Sequence, residues 1–144
     1  GTMKISTKGR YALRIMIDLA KHQSDDFVTL KDIANRQEMS EKYLESIIKV
    51  LVKNQILVGL RGKGGGYKLT KPVEEYTVWD ILNVSEDHLL IVDDSLMHNK
   101  SVLNDSDKKI LAMWDDLNVL ISEYFKGISI SSLIAEESGN DYII

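Results

Sequence analysis

Ser40-Glu41-Lys42-Tyr43-Leu44-Glu45-Ser46-Ile47-Ile48-Lys49-Val50-Leu51-Val52-Lys53 is the stretch that decides the fold. Leu44, Ile47, Ile48 and Leu51 recur at i, i+3, i+4 and i+7, the spacing of one helical face. Val52 joins that face, while Lys42, Tyr43, Ser46, Lys49 and Lys53 fall on the other. Ser40 suits the N-cap, and Glu41 suits the positive end of the helix dipole. The pattern predicts a short helix that is buried on one side and basic on the other.

A second short helix is expected just upstream, from Thr29 to near Gln37, separated by a turn of about three residues. Thr29-Leu30-Lys31-Asp32 is like a capping box, with Asp32 in place of the usual Glu or Gln. Val28 and Ile33 are spaced to staple that end, and Ile33 and Ala34 face inward. Two short helices joined by a tight turn, the second basic on its free face, form a helix-turn-helix. Before them a longer helix is expected from Lys8 to His22, ended by Ser24-Asp25-Asp26. Its expected buried stripe is Leu13, Met16, Ile17 and Ala20, widened by Tyr11, Ala12, Ile15 and Leu19.

Downstream the hydrophobic period shortens. Ile56-Leu57-Val58 and Tyr67-Lys68-Leu69 read as strands around the loop Arg61-Gly62-Lys63-Gly64-Gly65-Gly66. A hairpin placed directly after a helix-turn-helix is a wing. The loop closes on no Lys-Ser/Thr pair and opens no helix, so it is neither a Walker loop nor a dinucleotide fingerprint. Glycine at such a tip lets backbone approach a ligand closely.

Beyond Pro72, Thr77 is expected to cap a short helix from Val78 to Asn83. Residues 84–104 read as irregular and contain His88 and His98. A long helix then runs from Asp105 to about Phe125, with Gly127 as its C′ residue. Ile110, Trp114, Leu117, Ile121 and Tyr124 recur at spacings of 4 and 3, a heptad seam suited to the same helix of a second subunit. A last short helix is expected from Ser129. The fold class is therefore mainly α with a small β-hairpin wing, a winged helix-turn-helix plus a long dimerisation helix. The expected division is 3–83 for DNA binding and 84–144 for loop, dimerisation helix and C-terminal helix.

Composition narrows the function. Residues 1–71 carry 14 Lys/Arg against 7 Asp/Glu, a balance of +7. Residues 72–144 carry 4 against 15, a balance of −11, so the overall −4 hides a basic half joined to an acidic one. The sequence of 144 residues holds no cysteine, which excludes disulfides, thiolate metal sites and cysteine nucleophiles. No apolar run approaches the length of a membrane span, and the start shows no secretory signal pattern, so the expected compartment is the cytoplasm. Gly1 and Thr2, before Met3, read as an addition to the native start. His22, His88 and His98 sit in no nucleophile, oxyanion or metal constellation, so no enzyme is expected. His88 and His98 could bind zinc with Asp93 or Asp94, but their surroundings read as a mobile loop, so no metal is expected.

Lys4-Ile5-Ser6-Thr7-Lys8-Gly9-Arg10-Tyr11-Ala12-Leu13, Ser40-Glu41-Lys42-Tyr43-Leu44-Glu45 and Arg61-Gly62-Lys63-Gly64-Gly65-Gly66-Tyr67 resemble, in order, the start, recognition helix and wing of the bacterial Rrf family of winged-helix transcription regulators. Trp114-Asp115-Asp116-Leu117 and Ser129-Ile130-Ser131-Ser132-Leu133 resemble its dimerisation helix and C-terminal piece. The resemblance implies a homodimer on a palindromic double-stranded operator, with no membrane partner. Many members hold an iron–sulfur cluster on three cysteines before and at the start of the long helix; this chain has none there, so no cofactor is expected. The resemblance is strongest to the cysteine-free, CymR-like branch, which implies a cysteine-metabolism enzyme or a small-molecule effector as partner. Repression is the expected sign.

The expected DNA contacts follow the docking of winged helices. Tyr43 and Ser46 reach base edges or the sugar–phosphate rail, and Ser40, Lys42 and Lys49 meet phosphates. Arg61 enters the minor groove beside Lys63, Gly64, Gly65 and Tyr67. Ser6, Lys8 and Arg10, with Thr29 and Lys31, offer further phosphate contacts. The competing reading is a winged-helix protein-interaction module that regulates a metabolic enzyme or sensor through its acidic half.

Overall fold

The computed structural model of the chain describes residues 5–22, 26–86 and 103–135. His88, His98, Asp93 and Asp94, the candidate zinc donors, lie outside them.

Helix α1 spans Thr7–His22. Ser6 opens it, its Oγ accepting a bond from Gly9 N at 3.1 Å. The buried stripe is Ala12, Ile15, Met16 and Leu19, all at 0% exposure. Leu13, Ile17 and Ala20, expected at the centre of that stripe, lie half-buried at its flank. The reason is that α1 is apolar around most of its circumference and is packed on several sides, by α2, α3, β2 and the later elements. Spacing alone does not select the innermost row of such a helix.

Helices α2, Leu30–Gln37, and α3, Glu41–Lys53, follow the sequence reading closely. Thr29 Oγ1 accepts from Asp32 N at 3.1 Å, and Ser40 Oγ accepts from Tyr43 N at 3.1 Å. α2 ends on Glu38 in the left-handed region, φ 54°. Leu44, Ile47, Ile48 and Leu51 are the buried face of α3. Strands β1, Leu57–Leu60, and β2, Gly66–Leu69, pair antiparallel with Leu57 opposite Leu69 and Leu60 opposite Gly66.

The hairpin is tied down in two places. Val28 and Tyr67 exchange backbone bonds of 2.9 and 2.7 Å, which adds a one-residue third strand. Gly66, at φ +142°, makes this possible: a Cβ there would run into the Val28 carbonyl. At the hairpin's root, buried Tyr76 donates its hydroxyl to Ile56 O at 2.9 Å and accepts from Thr70 N at 2.9 Å and Lys71 N at 3.2 Å. One phenol thus joins the entry of β1 to the exit of β2.

A 3-10 turn, Val73–Glu75, leads to α4, Val78–Ser85, which opens on a full capping box between Thr77 and Asp80. α5 runs Asp105–Lys126, one residue past the expected end, with a second capping box between Asn104 and Asp107. Gly127 closes it as the C-cap, at φ −82°, and its N–H reaches Glu123 O and Tyr124 O. The short helix expected from Ser129 is a 3-10 helix, Ile130–Leu133, with Ser129 as its N-cap. It returns to the first half of the chain. Val78 N donates to Ile128 O, Ile130 N donates to Tyr76 O, each at 2.9 Å, and Ile130 is fully buried in the same core as α1 and α3.

Candidate nucleic-acid interface

The exposed face of α3 carries Lys42, Ser46 and Lys49. Its start is fixed by Ser40, whose Oγ is an acceptor in the cap and keeps its own proton for a ligand. Tyr43 is half-buried: its ring meets Tyr11 of α1 edge-on, centroids 5.8 Å apart. Ser46 Oγ donates to Tyr43 O, so its one proton is engaged within the helix and the hydroxyl can only accept from a base.

The wing tip is open to solvent. Arg61, Lys63 and Gly64 are exposed, and Gly64 sits at φ +77° with open space around its Cα. Gly65 N donates to Gly62 O at 3.0 Å, which closes the tip as a turn. Tyr67 gives both backbone groups to Val28. Because Thr29 follows Val28, this bridge seats the N-terminus of α2, with exposed Thr29 and Lys31, beside the wing strand β2. Lys68 of the same strand lies over the Phe27 ring at 4.6 Å, adding a cation beside the bridge.

At the start of α1 the structure differs from the expectation. Ser6 N and Ser6 Oγ both donate to Glu86 Oε1 at 2.9 Å. The only proton of the Ser6 hydroxyl is therefore used inside the chain, and a carboxylate occupies the helix end where a phosphate was expected. Arg10 is exposed and donates to Thr7 Oγ1 at 3.2 Å, while Lys8 is half-buried.

Sequence reasoning missed a polar network between α1 and α2. The Asp18 carboxylate is 2% exposed and accepts from Arg36 Nε at 3.0 Å, Arg36 Nη2 at 2.8 Å and Gln37 Nε2 at 2.8 Å. The bond to Asp18 holds the Arg36 guanidinium still more firmly protonated than usual, against the cost of its partial burial. The i, i+4 row through Asp18 and His22 reads as surface, so nothing in the sequence flagged a buried acid there.

On α5, Ile110 is 47% exposed and Tyr124 67%, while Trp114, Leu117 and Ile121 are partly covered within the chain. Met113 and Leu120, which the expected seam omitted, are 52% and 67% exposed. Ile110, Met113, Leu120 and Tyr124 are open, and with the half-buried Leu117 between them they again recur at heptad spacing.

The whole of this arrangement has a known counterpart. The family model described as the iron-dependent transcriptional regulator Rrf2 matches residues 5–136. This chain belongs to the Rrf2 family. It is 31% identical to the transcriptional regulator IscR of Sodalis glossinidius over 142 residues, covering 98% of this chain and 84% of that protein. Among solved structures it resembles CymR of B. subtilis, at TM-score 0.72 and 32% identity, covering 92% of this chain and 96% of that one. It also resembles T. potens IscR, at TM-score 0.66 and 34% identity, covering 90% and 85%. The Rrf2 chain is thus a DNA-binding transcriptional regulator of winged-helix fold, and its relatives are named as regulators, not enzymes.

The family description names iron, and the donor set here does not fit a thiolate-held cluster. The sequence has no cysteine, and among the described residues no three His, Asp or Glu side chains converge. The lack of cysteine fits a CymR-like member. Among the described residues no helix is long and apolar enough to cross a membrane.

Proposed function

We propose that this Rrf2 protein is a sequence-specific repressor that binds a palindromic operator as a homodimer, without an iron–sulfur cluster. The observation that carries the reading is the pairing of the exposed basic face of α3 with an open wing tip bearing Arg61 and Lys63, joined through the Val28–Tyr67 bridge. On this reading α3 lies in the major groove. Ser40, Lys42 and Lys49 meet phosphates there, and Tyr43 and Ser46 lie against bases or sugars. Arg61 lies in the flanking minor groove, with Lys63, Gly64, Gly65 and Tyr67 shaping its approach. Thr29, Lys31, Lys8 and Arg10 flank the backbone. The apolar row of α5, including Ile110, Trp114, Leu117, Ile121 and Tyr124, meets its copy in a second subunit. Residues 3–83 then act as reading head and 84–144 as dimerisation arm. The likeness to a protein described as the global cysteine regulator of B. subtilis supports a signal from cysteine metabolism, delivered by an enzyme partner or a small-molecule effector.

Selection of bound duplexes from a random pool tests the reading. Enrichment of one palindrome is expected, with Arg61→Ala relaxing the preference for A·T pairs at its wing-facing positions. A pool that stays random, or an Arg61→Ala pool identical to the wild-type one, overturns it.

A further inference from the structure

We infer that Arg14 is a further phosphate contact of the DNA interface, aimed by Gln37, which the buried Asp18 carboxylate fixes in turn. The inference rests on the DNA-binding reading above and adds a residue that the motifs do not contain.

The chain of contacts starts inside the protein. Asp18 accepts from Gln37 Nε2 at 2.8 Å, so the Gln37 amide has one permitted orientation and its oxygen faces away from the carboxylate. That oxygen accepts from Arg14 Nε at 3.0 Å, and Gln37 O accepts from Arg14 Nη2 at 3.3 Å. The guanidinium also lies 4.9 Å over the Tyr11 ring, and Tyr11 packs edge-on against Tyr43 in the first turn of the recognition helix. Arg14 is therefore an exposed cation, held from three sides, next to the end of α3 that enters the groove.

Two features make this a binding group and not merely a surface tie. First, both hydrogen-bond partners are neutral, an amide and a peptide carbonyl, so the guanidinium keeps its full positive charge for an outside anion. Second, the two bonds use two of the five donors of the fork, and the remainder match the oxygens of a phosphate. An arginine already held in place loses less side-chain freedom on binding than a free one. Arg36, one network step away, is unsuited to the role because Asp18 takes it bidentately.

The test is a titration of a mixed-sequence duplex with the full-length protein across a range of salt. For wild type, log affinity should fall linearly with log salt. Arg14→Ala should reduce that slope by about 0.9, the value for one lost phosphate contact. Arg14→Lys should keep the slope and bind more weakly, because the charge remains and the aim is lost. Gln37→Met should also keep the slope and weaken binding, and should have no further effect in an Arg14→Ala background. An unchanged slope in Arg14→Ala, with wild type binding in a salt-dependent way, overturns the assignment of Arg14. Equal weakening by Gln37→Met in both backgrounds overturns the positioning role of Gln37. Failure of wild type itself to show salt-dependent binding overturns the DNA reading beneath both.

Discussion

Asp18 shows how one side chain sets the geometry of the reading head. It is buried on α1, yet its partners Arg36 and Gln37 belong to the last turn of α2. Removing it strands Arg36 and frees the Gln37 amide. Breaking a buried ion pair from one side costs about 3–5 kcal/mol. Arg36 remains 32% exposed and can turn to water, so the lower end applies here. Asp18→Ala should therefore lower the thermal midpoint by roughly 5–10 °C. The double change Asp18→Leu with Arg36→Met should recover most of that loss, since well-packed apolar groups replace such pairs at little cost. Calorimetry on the three proteins decides it; a double variant as unstable as Asp18→Ala removes the ion pair as the cause. Gly66 is a second such residue. At φ +142°, with Val28's carbonyl where a Cβ would lie, Gly66→Ala should open the Val28–Tyr67 bridge. Amide exchange at Val28 and Tyr67 should then become fast, while α3 stays protected. Slow exchange in the variant would mean that the bridge does not depend on the glycine.

The elements that sequence alone resolved were those with one wet and one dry side. α3 is the clearest: its apolar row and its lysines alternate so cleanly that cap, span and buried face all follow. α1 is apolar on most sides, and its true inner row became visible only once its neighbours were in place. The hairpin's anchors, Val28 and Tyr76, reach groups 39 and up to 20 residues away, in the wing and at its root, and no local pattern signals either pairing. α5 falls between these cases. Its apolar residues occupy two adjacent rows, one turned partly into the chain and one outward, so heptad spacing alone fits both. Exposure separates them: Leu120 and Met113 lie on the outward row and Trp114 is partly covered. Leu120→Asp should thus dissociate the proposed dimer and leave the helical circular-dichroism signal intact. Trp114→Asp should both weaken the dimer and lower the melting temperature. A Leu120→Asp protein that sediments as a dimer would place the subunit contact elsewhere.

At the scale of the whole molecule, the question is how firmly the arm is joined to the head. α5 leaves through Gly127 and the chain immediately re-enters the head: Val78 bonds Ile128, Tyr76 bonds Ile130, and Ile130 is buried in the common core, in a turn that packs on α1 and on Val73–Glu75. Phe125 and Ile128 pack on the same core. The far end of α5 is thus fixed by covalent continuity, by backbone bonds and by apolar burial at once. The first 71 residues carry the basic excess and the rest of the sequence the acidic one, and on the proposed reading that division would steer the head to the duplex. If the arm is rigidly attached, two heads in a dimer hold one rotation relative to each other, and the operator must match it. Half-sites on one face of the duplex recur every 10–10.5 base pairs or so. Inserting about five base pairs between the selected half-sites turns one of them to the opposite face. Affinity should then fall to that of a single half-site, and inserting about ten should restore part of it only if the arm bends. Ile130→Ala, which leaves a cavity under the returning chain, should make the protein more tolerant of the changed spacings as well as less stable, by about 2–4 kcal/mol. Binding curves for three spacings with both proteins separate the possibilities. Equal tolerance in wild type and variant would show that the re-entry at Ile130 stabilises the head without setting the angle between the two.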